Sequence, residues 1–488
     1  MVARFLHLLC FTAALVSMSV TYGNNLRVSN VSVDQVNGTV TFDLAWDNSW
    51  RIDGVGTPNH WDAAWVFVKW RDCGATPTTG WTHGLINTST ASHTFGQYQP
   101  TLSDGSAIGI DAGPNNTGVM LRQNTTGLYP ARGASSVTLD LTNYPVTGDF
   151  DVRVFGVEMV FVPQGDFILG GNGTTENYPF NQNGQAFPVT EDTALTLRFY
   201  SSNSYITTLP AAYPVGWNPF YCMKYEITQG QYADFLNTAD AATQSTNFLN
   251  SFNSYRNRLT SGGTPPFVYF SDRPDRACNY LSWTDMLAYL DWSCLRPMTE
   301  TEYEKATRGQ GPYVGGFAWG STDITEAQSL SSPEDGTEVV LNPPNANAIY
   351  DNTTETWAGG DGGQGPARVG ILATAATTSR LQTGASYYGI MEMSGNLWEQ
   401  CVMATSDVVS LAYDGAWGDG YLDANGYADV ANWPYRNTPF NTGSYLRQLR
   451  GGSYADTQVN LRIANRYYFL GYSSSNNRAR SIGGRGVR

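Results

Sequence analysis

Along residues 31–46, VSVDQVNGTVTFDLAW, apolar and polar positions alternate on both sides of Asn37-Gly38. Alternation with period two marks a strand with one buried face, and Asn-Gly is the strongest short hairpin signal, so a β-hairpin is predicted here. Alternation or short apolar runs predict further strands at AAWVFVKW (63–70), SSVTLDL (135–141) and FDVRVFGVEMVFV (150–162). Short strands separated by turns rich in Gly, Asn and Thr predict an immunoglobulin-like β-sandwich over residues 24–150. Residues 143–149 read as a hinge, and the strand that follows them could belong to either side.

From about residue 157 the pattern changes to short helices with clear starts. Thr228 with Gln231, Ser282 with Asp285 and Thr299 with Glu302 each set a capping hydroxyl three residues ahead of a polar side chain. The first and third fit the capping box, and Asp285 approximates it. Helices of roughly two to three turns follow, WTDMLAYLDW among them. Long irregular stretches separate them, above all 311–382. Loops of that length in a compact domain are held by something other than secondary structure, such as metal ions. The fold class expected is α+β, with a loop-rich domain at 151–488 behind the β-sandwich.

A chain of 488 residues exceeds one ordinary core, so two or three domains are expected. The formal net charge of −14 repels nucleic acid and anionic membranes, which excludes both as partners and suits a protein that binds divalent cations. MVARFLHLLCFTAALVSMSVTYG supplies Arg4, an apolar run from Phe5 to about Val20 and then small and polar residues, the pattern of a secretory signal peptide at 1–23. Cys10 lies inside that run rather than at the cleavage point, which argues against a lipid anchor. No other segment approaches the ~20 apolar residues that span a bilayer. A secreted, periplasmic or cell-surface protein is expected, without a membrane span. The mature chain keeps five cysteines, an odd number, so one thiol stays unpaired within it. The histidines are His7, His60, His83 and His93, so the C-terminal domain has none for Ser–His–Asp or Cys–His catalysis.

Seven phrases occur in a fixed order: MVFVPQGDFILGG (159–171), FYCMKYEITQGQYADFLN (220–237), LSWTDMLAYLDWSCLRPMTETEYEKATRG (281–309), FAWG (317–320), YGIMEMSGNLWE (388–399), LRGGSY (449–454) and RSIGGRGVR (480–488). Together they resemble the formylglycine-generating enzyme, or sulfatase-modifying factor, family. The resemblance implies a variant of the C-type lectin fold and, in active members, a cysteine pair that binds copper and oxidises a substrate cysteine to formylglycine. Those cysteines precede an Ala-x-Arg like Ala464-Asn465-Arg466, so the equivalent positions here are about Gln458 and Ile463. Neither can serve as a thiolate ligand or a redox centre. No catalytic residue is assigned, and no copper is expected. Near the end of the chain, Gly484 also stands where the family usually carries a packed aromatic.

The resemblance further implies two structural calcium sites, one from Glu392, Gly395, Leu397 and Glu399 and one from Asn347, Ala348, Asp361 and Gly363. Calcium takes six to eight hard oxygen ligands, which carboxylates and turn carbonyls supply. The plainer reading is that these are turn-forming residues. Trp283, Trp292 and Trp398 read as core, and Arg450, Arg462, Arg466 and Arg485 as partners of buried acids or caps of loops. After Arg466, YYFLGYSSSNNRARS offers Tyr467, Tyr468, Tyr472 and Asn476 as a ligand-binding surface, since Tyr carries contact area at low entropy cost and Asn adapts. Relatives in this branch display variable C-terminal residues for recognition. The function expected is that of a non-catalytic, calcium-stabilised recognition or structural protein with a protein or glycan ligand. The alternatives are a copper-dependent oxidase and a scaffold in an envelope assembly.

Overall fold

The computed structural model describes residues 26–488 apart from 54–58, 75–80, 114–115, 131–132, 146, 174, 200–205, 264–266, 312–314, 352–356, 375–376, 438–446 and 468–477. The leader read at 1–23 lies outside the described residues, as do Tyr468, Tyr472 and Asn476.

Strands β1 (Arg27–Asp34) and β2 (Thr39–Ala45) form the hairpin around Asn37-Gly38, with Asp34 paired to Thr39. Asp34 holds the turn, its Oδ1 accepting from the backbone N–H of Val36 and of Asn37 at 3.1 Å each. The expected alternation survives on β2, where Val40, Phe42 and Leu44 are buried. On β1 an irregularity between Ser29 and Ser32 inserts one residue, with Asn30 at φ +52°, which sets Val33 opposite buried Val40, although Val31 and Val33 stay exposed on this edge strand. One extra residue reverses the faces of everything beyond it.

Strands β3 (His60–Asp72), β4 (Val119–Gln123), β5 (Ser135–Asp140) and β6 (Phe150–Val162) follow. One antiparallel sheet has the order β1–β2–β5, and β3, β4 and β6 belong to a second, larger sheet. That sheet continues past residue 150. Residues Phe150 to Val160 of β6 pair with Asp72 to Asp62 of β3, and Met159 to Val162 pair with β7 (Phe220–Met223).

Because strand side chains alternate, β3 feeds two cores. Ala64, Val66 and Val68 pack with Val40, Phe42, Leu44, Val137 and Leu139 from the three-stranded sheet. Trp61, Ala63, Trp65 and Phe67 pack on the opposite face with residues from the C-terminal part of the chain, Phe235 and Trp292 among them. The strand that could belong to either side, β6, likewise belongs to both: Val154 joins the first core, and Phe155, Val157 and Met159 join the second.

Three helices carry the caps read from the sequence: α1 (Gln229–Asn237), α2 (Trp283–Trp292) and, after strand β8 (Arg296–Pro297), α3 (Glu300–Arg308). All three show the reciprocal box, including the one expected to be approximate. The shorter Asp285 still reaches back, its Oδ2 accepting from the Ser282 N–H at 2.9 Å. Helix α2 is buried along its whole length, so Trp283 and Trp292 are core residues, as is Trp398.

Strands β9 (Glu399–Val402) and β10 (Arg447–Arg450) pair antiparallel, and β11 (Gly486–Val487) inserts between β7 and β8 in the large sheet. The last residue is locked in place. The Arg488 and Tyr221 backbones exchange two hydrogen bonds of 2.7 Å, and the Arg488 guanidinium lies 3.8 Å from the ring centre of Trp65 and 4.7 Å from that of Trp417. Gly484 leaves no void, because Met286 Sδ fills the space that a Cβ there would enter.

Candidate functional site

Past β10 the chain turns through Gly451 and Gly452, at φ +88° and +70°, into a short 3-10 turn, Gln458–Leu461. Gln458 is exposed. Ile463 is buried: its N–H donates to Gly316 O at 3.1 Å and its carbonyl accepts from Arg450 Nη2 at 2.8 Å. The two positions therefore lie in different environments, one in solvent and one in the core.

What holds this segment is charge. Glu300 and Glu304, one turn apart on α3, face Arg450 and Arg466. Arg466 grips Glu300 through Nε at 2.8 Å and Nη2 at 2.9 Å, and Arg450 Nη2 reaches Glu304 at 2.6 Å. Arg308 reaches the other Glu304 oxygen at 3.2 Å. All five side chains are fully buried. A buried ion pair adds little net stability while intact, but removing one partner strands a charge in low dielectric and is costly. Arg462 instead donates to the Gly315 carbonyl and lies over the Phe317 ring.

A second buried cluster gathers Glu226, Glu392 and Glu399 near Arg485. Glu226 accepts from Leu397 N at 2.9 Å and from the Asn396 side chain at 2.5 Å. Glu392 Oε1 accepts from Gly370 N at 2.9 Å, while among the described residues its buried Oε2 has no hydrogen-bond partner. Arg485 Nη2 lies 2.6 Å from Glu399 Oε1, an ion-pair distance, yet neither Glu399 oxygen accepts a hydrogen bond of normal geometry. Arg485 spends its donors on backbone carbonyls of Met223, Lys224 and Met391. Burial pushes all three carboxyls up, Glu392 to about 7, against the pull of Arg485.

Two further polar clusters stitch the N-terminal strands to the rest. Lys224 Nζ lies 3.2 Å from Asp62 and 3.1 Å from Glu158, all of them buried, and burial pushes Glu158 up to about 8 despite that ammonium. Lys69 Nζ donates to Gly420 O at 2.7 Å and touches His83 Nδ1 at 3.1 Å. Cys294 Sγ lies 3.6 and 3.7 Å from the two nitrogens of that ring. A Cys–His contact thus exists across the seam, although no histidine follows residue 93. It is no nucleophile–base pair. Burial pushes the thiol up to about 12 and the imidazole well down, so neither a thiolate nor a proton-accepting ring is favoured there.

Among the described residues, one group of three acids brings its ligand atoms within 4.8 Å of one another: Asp291, Asp419 and Asp429. Both Asp291 oxygens already accept backbone N–H groups, from Asp419 at 3.0 Å and Asp429 at 2.9 Å, so the group ties its loop.

The family described as "Sulfatase-modifying factor enzyme 1-like domain" matches residues 151–488. The chain belongs to this family. It is 24% identical over 283 residues to the formylglycine-generating enzyme of Thermomonospora curvata, covering 52% of this chain and 75% of that one. It is also similar to the structure of PvdO from Pseudomonas aeruginosa, at 17% identity and a TM-score of 0.31, over 68% of this chain and 94% of that one. Treponema denticola variable protein 1 matches at 14% identity and a TM-score of 0.31, over 68% of this chain and 95% of its own.

For a sulfatase-modifying factor the implied groups can be tested against the residues present. The set Glu392, Gly395, Leu397 and Glu399 fits a hard cation, since it offers buried carboxylate oxygens that protein donors leave unsatisfied. Gly395, at φ +108°, is required there, as a Cβ would lie 2.6 Å from Ile349 O. The set Asn347, Ala348, Asp361 and Gly363 does not fit. Arg273 grips both Asp361 oxygens at 2.7 Å and Arg276 adds a third contact at 2.8 Å, so against the effect of burial Asp361 is drawn down to about 2. Asn347 Oδ1 accepts from Thr325 N, Ala348 O from Ala327 N and Gly363 O from Trp357 N. Guanidinium groups stand where the expectation placed a metal, and they anchor the long irregular stretch: Glu334 within it takes Arg256 at 2.5 Å and Arg276 at 2.7 Å.

Of the surface read after Arg466, Tyr467 is described and is 50% exposed. Sequence reasoning missed the seam clusters because their partners lie far apart in the chain, Lys69 and Gly420 for example. One signal was present: a lysine inside AAWVFVKW must find a partner if that strand is buried on both faces.

Proposed function

We propose that this chain is a non-catalytic member of the sulfatase-modifying factor family, a recognition or structural protein stabilised by calcium. One observation carries the reading. The positions that correspond to the copper-binding cysteine pair hold an exposed Gln458 and a buried Ile463 whose main chain is bonded to Gly316 and Arg450. The buried thiols offer no substitute, because burial raises Cys222 and Cys294 to about 12 and pushes Cys278 and Cys401 well up. Titration of the full chain with Cu(I) against a competing chelator tests this. No tight thiolate-bound copper is expected, and a stoichiometric copper–thiolate signal favours the oxidase alternative.

Calcium belongs at Glu392, Gly395, Leu397 and Glu399. Binding to the native state alone stabilises it by ~2.7 kcal/mol when the free ion is at 100 times its Kd. Chelation should lower the unfolding midpoint, and Glu399→Gln should abolish the difference; a midpoint indifferent to calcium rejects the site. The N-terminal strands form a β-sandwich that carries the family domain, and the chain is exported after cleavage near Gly23. Tyr467 with Tyr468, Tyr472 and Asn476 supplies a surface for a protein or glycan ligand. N-terminal sequencing of the secreted form checks the cleavage.

A further inference from the structure

In a chain with a net charge of −14, one groove gathers four arginines. Its volume is about 720 Å³, and Arg256, Arg258, Arg273 and Arg276 line it together with Asn253, Tyr255 and the loop at 361–364. Three carboxylates oppose the four guanidinium groups. Arg256 and Arg276 share Glu334, Arg273 and Arg276 share Asp361, and Arg258 holds Asp272 at 2.8 and 2.6 Å.

A guanidinium has five N–H donors. Among the described residues Arg258 spends three, two on Asp272 and one on Asn253. Arg273 also spends three, two on Asp361 and one on the Asp272 carbonyl. Both side chains are partly exposed, at 30% and 25%, and each keeps a hydrogen on both terminal nitrogens. The acids fix the planes of these forks and leave the remaining donors at the groove.

The backbone is strained to make this wall. Asn253, Tyr255 and Arg256 have φ of +61°, +45° and +62°, a left-handed region that bulky residues rarely adopt. Opposite them, a Cβ on Gly365 would collide with Tyr255 O, while at Gly362 nothing lies within 4 Å of a Cβ, so the loop stays open.

We propose that this groove binds the oxyanion of an acidic saccharide, a carboxylate or sulfate on a hydroxyl-bearing ligand. Arginine forks suit planar and tetrahedral oxyanions. Asn253, Ser254 and Gln364 add neutral hydrogen-bonding side chains to the wall, as hydroxyl groups require. The volume lies within the ~300–1,000 Å³ of small-molecule sites, well above the needs of a bare ion. The site is separate from Gln458 and Ile463, so failure here leaves the non-catalytic reading untouched.

Calorimetric titration of the full chain tests the assignment with an oligogalacturonate, a sulfated oligosaccharide, a neutral oligosaccharide of equal length, poly-glutamate and inorganic sulfate. At least one acidic sugar should bind tenfold or more tightly than the neutral one, and the tighter of the two names the group. Arg258→Gln and Arg273→Gln should each weaken that binding about tenfold, the loss of one charge-assisted pair, while Arg27→Gln, outside the groove, should not. The thermal midpoint of Arg258→Gln, a rim residue, should match the parent and show that the fold is intact. Equal binding of the neutral sugar, affinity unchanged in both groove variants, preference for poly-glutamate, binding of sulfate alone or no binding at all would each overturn the proposal.

Discussion

Glu158 shows how one residue can set the pH response of the whole chain. Its folded carboxyl titrates at about 8, against an ordinary value of about 4.3 in the unfolded chain. The native state therefore holds a proton that the unfolded state has released, and this contribution is full below pH ~4.3 and is lost as pH rises through the folded value. Glu158→Gln, which keeps the shape of the protonated group, should remove that limb. In urea titrations the variant should match the parent near pH 4 and exceed it near pH 8.5; curves parallel across the range would contradict the burial argument. Glu300 gives the opposite case. Because it takes both Nε and Nη2 of buried Arg466, its replacement by Gln should cost ~3–5 kcal/mol, the penalty for stranding a buried charge. A loss under 1 kcal/mol in denaturant unfolding would mean that Arg466 has another refuge. Residues of this kind were half legible in the sequence. The acid-pairing of Arg450, Arg466 and Arg485 could be read from a motif, but which acid each one meets depends on strand register and helix placement that no local pattern encodes.

Among the elements, those with local rules were the legible ones. The three capping hydroxyls and the strand at 150–162 follow from chemistry within a few residues, and the structure has them where the sequence put them. Ser282→Ala should accordingly cost ~0.5–2 kcal/mol by denaturant unfolding; a neutral result would show that packing alone sets the start of α2. Bulges and closing strands are a different matter. The reversal of β1 at Asn30 needs the partner strand to be visible, and the two-residue strand β11 has no periodicity to read. Yet β11 joins β7 to β8 and delivers Arg488 to Trp65 and Trp417. Removing residues 486–488 should therefore lower the thermal midpoint by many degrees, and an unchanged midpoint would mean that the C-terminal strand only decorates the sheet.

At the scale of the molecule, β3 and β6 show why the apparent domains are not independent. Each strand serves one core with one face and a second core with the other, and Lys224 and Lys69 bind the two halves in charge and hydrogen bonds. Calorimetry of the full chain should show one unfolding transition, with residues 151–488 alone aggregating through the face that Trp61, Trp65 and Phe67 cover; two separate transitions would refute the coupling. This arrangement also bears on function. Cores, capped helices and buried ion pairs hold the family's domain at residues 151–488 with no thiol in the segment around Ile463. The most direct measurement of that claim is product analysis by mass spectrometry after the copper-supplemented full chain is incubated aerobically with a cysteine-containing peptide. The account predicts recovery of the peptide with its thiol intact, and enzyme-dependent appearance of the aldehyde would contradict it.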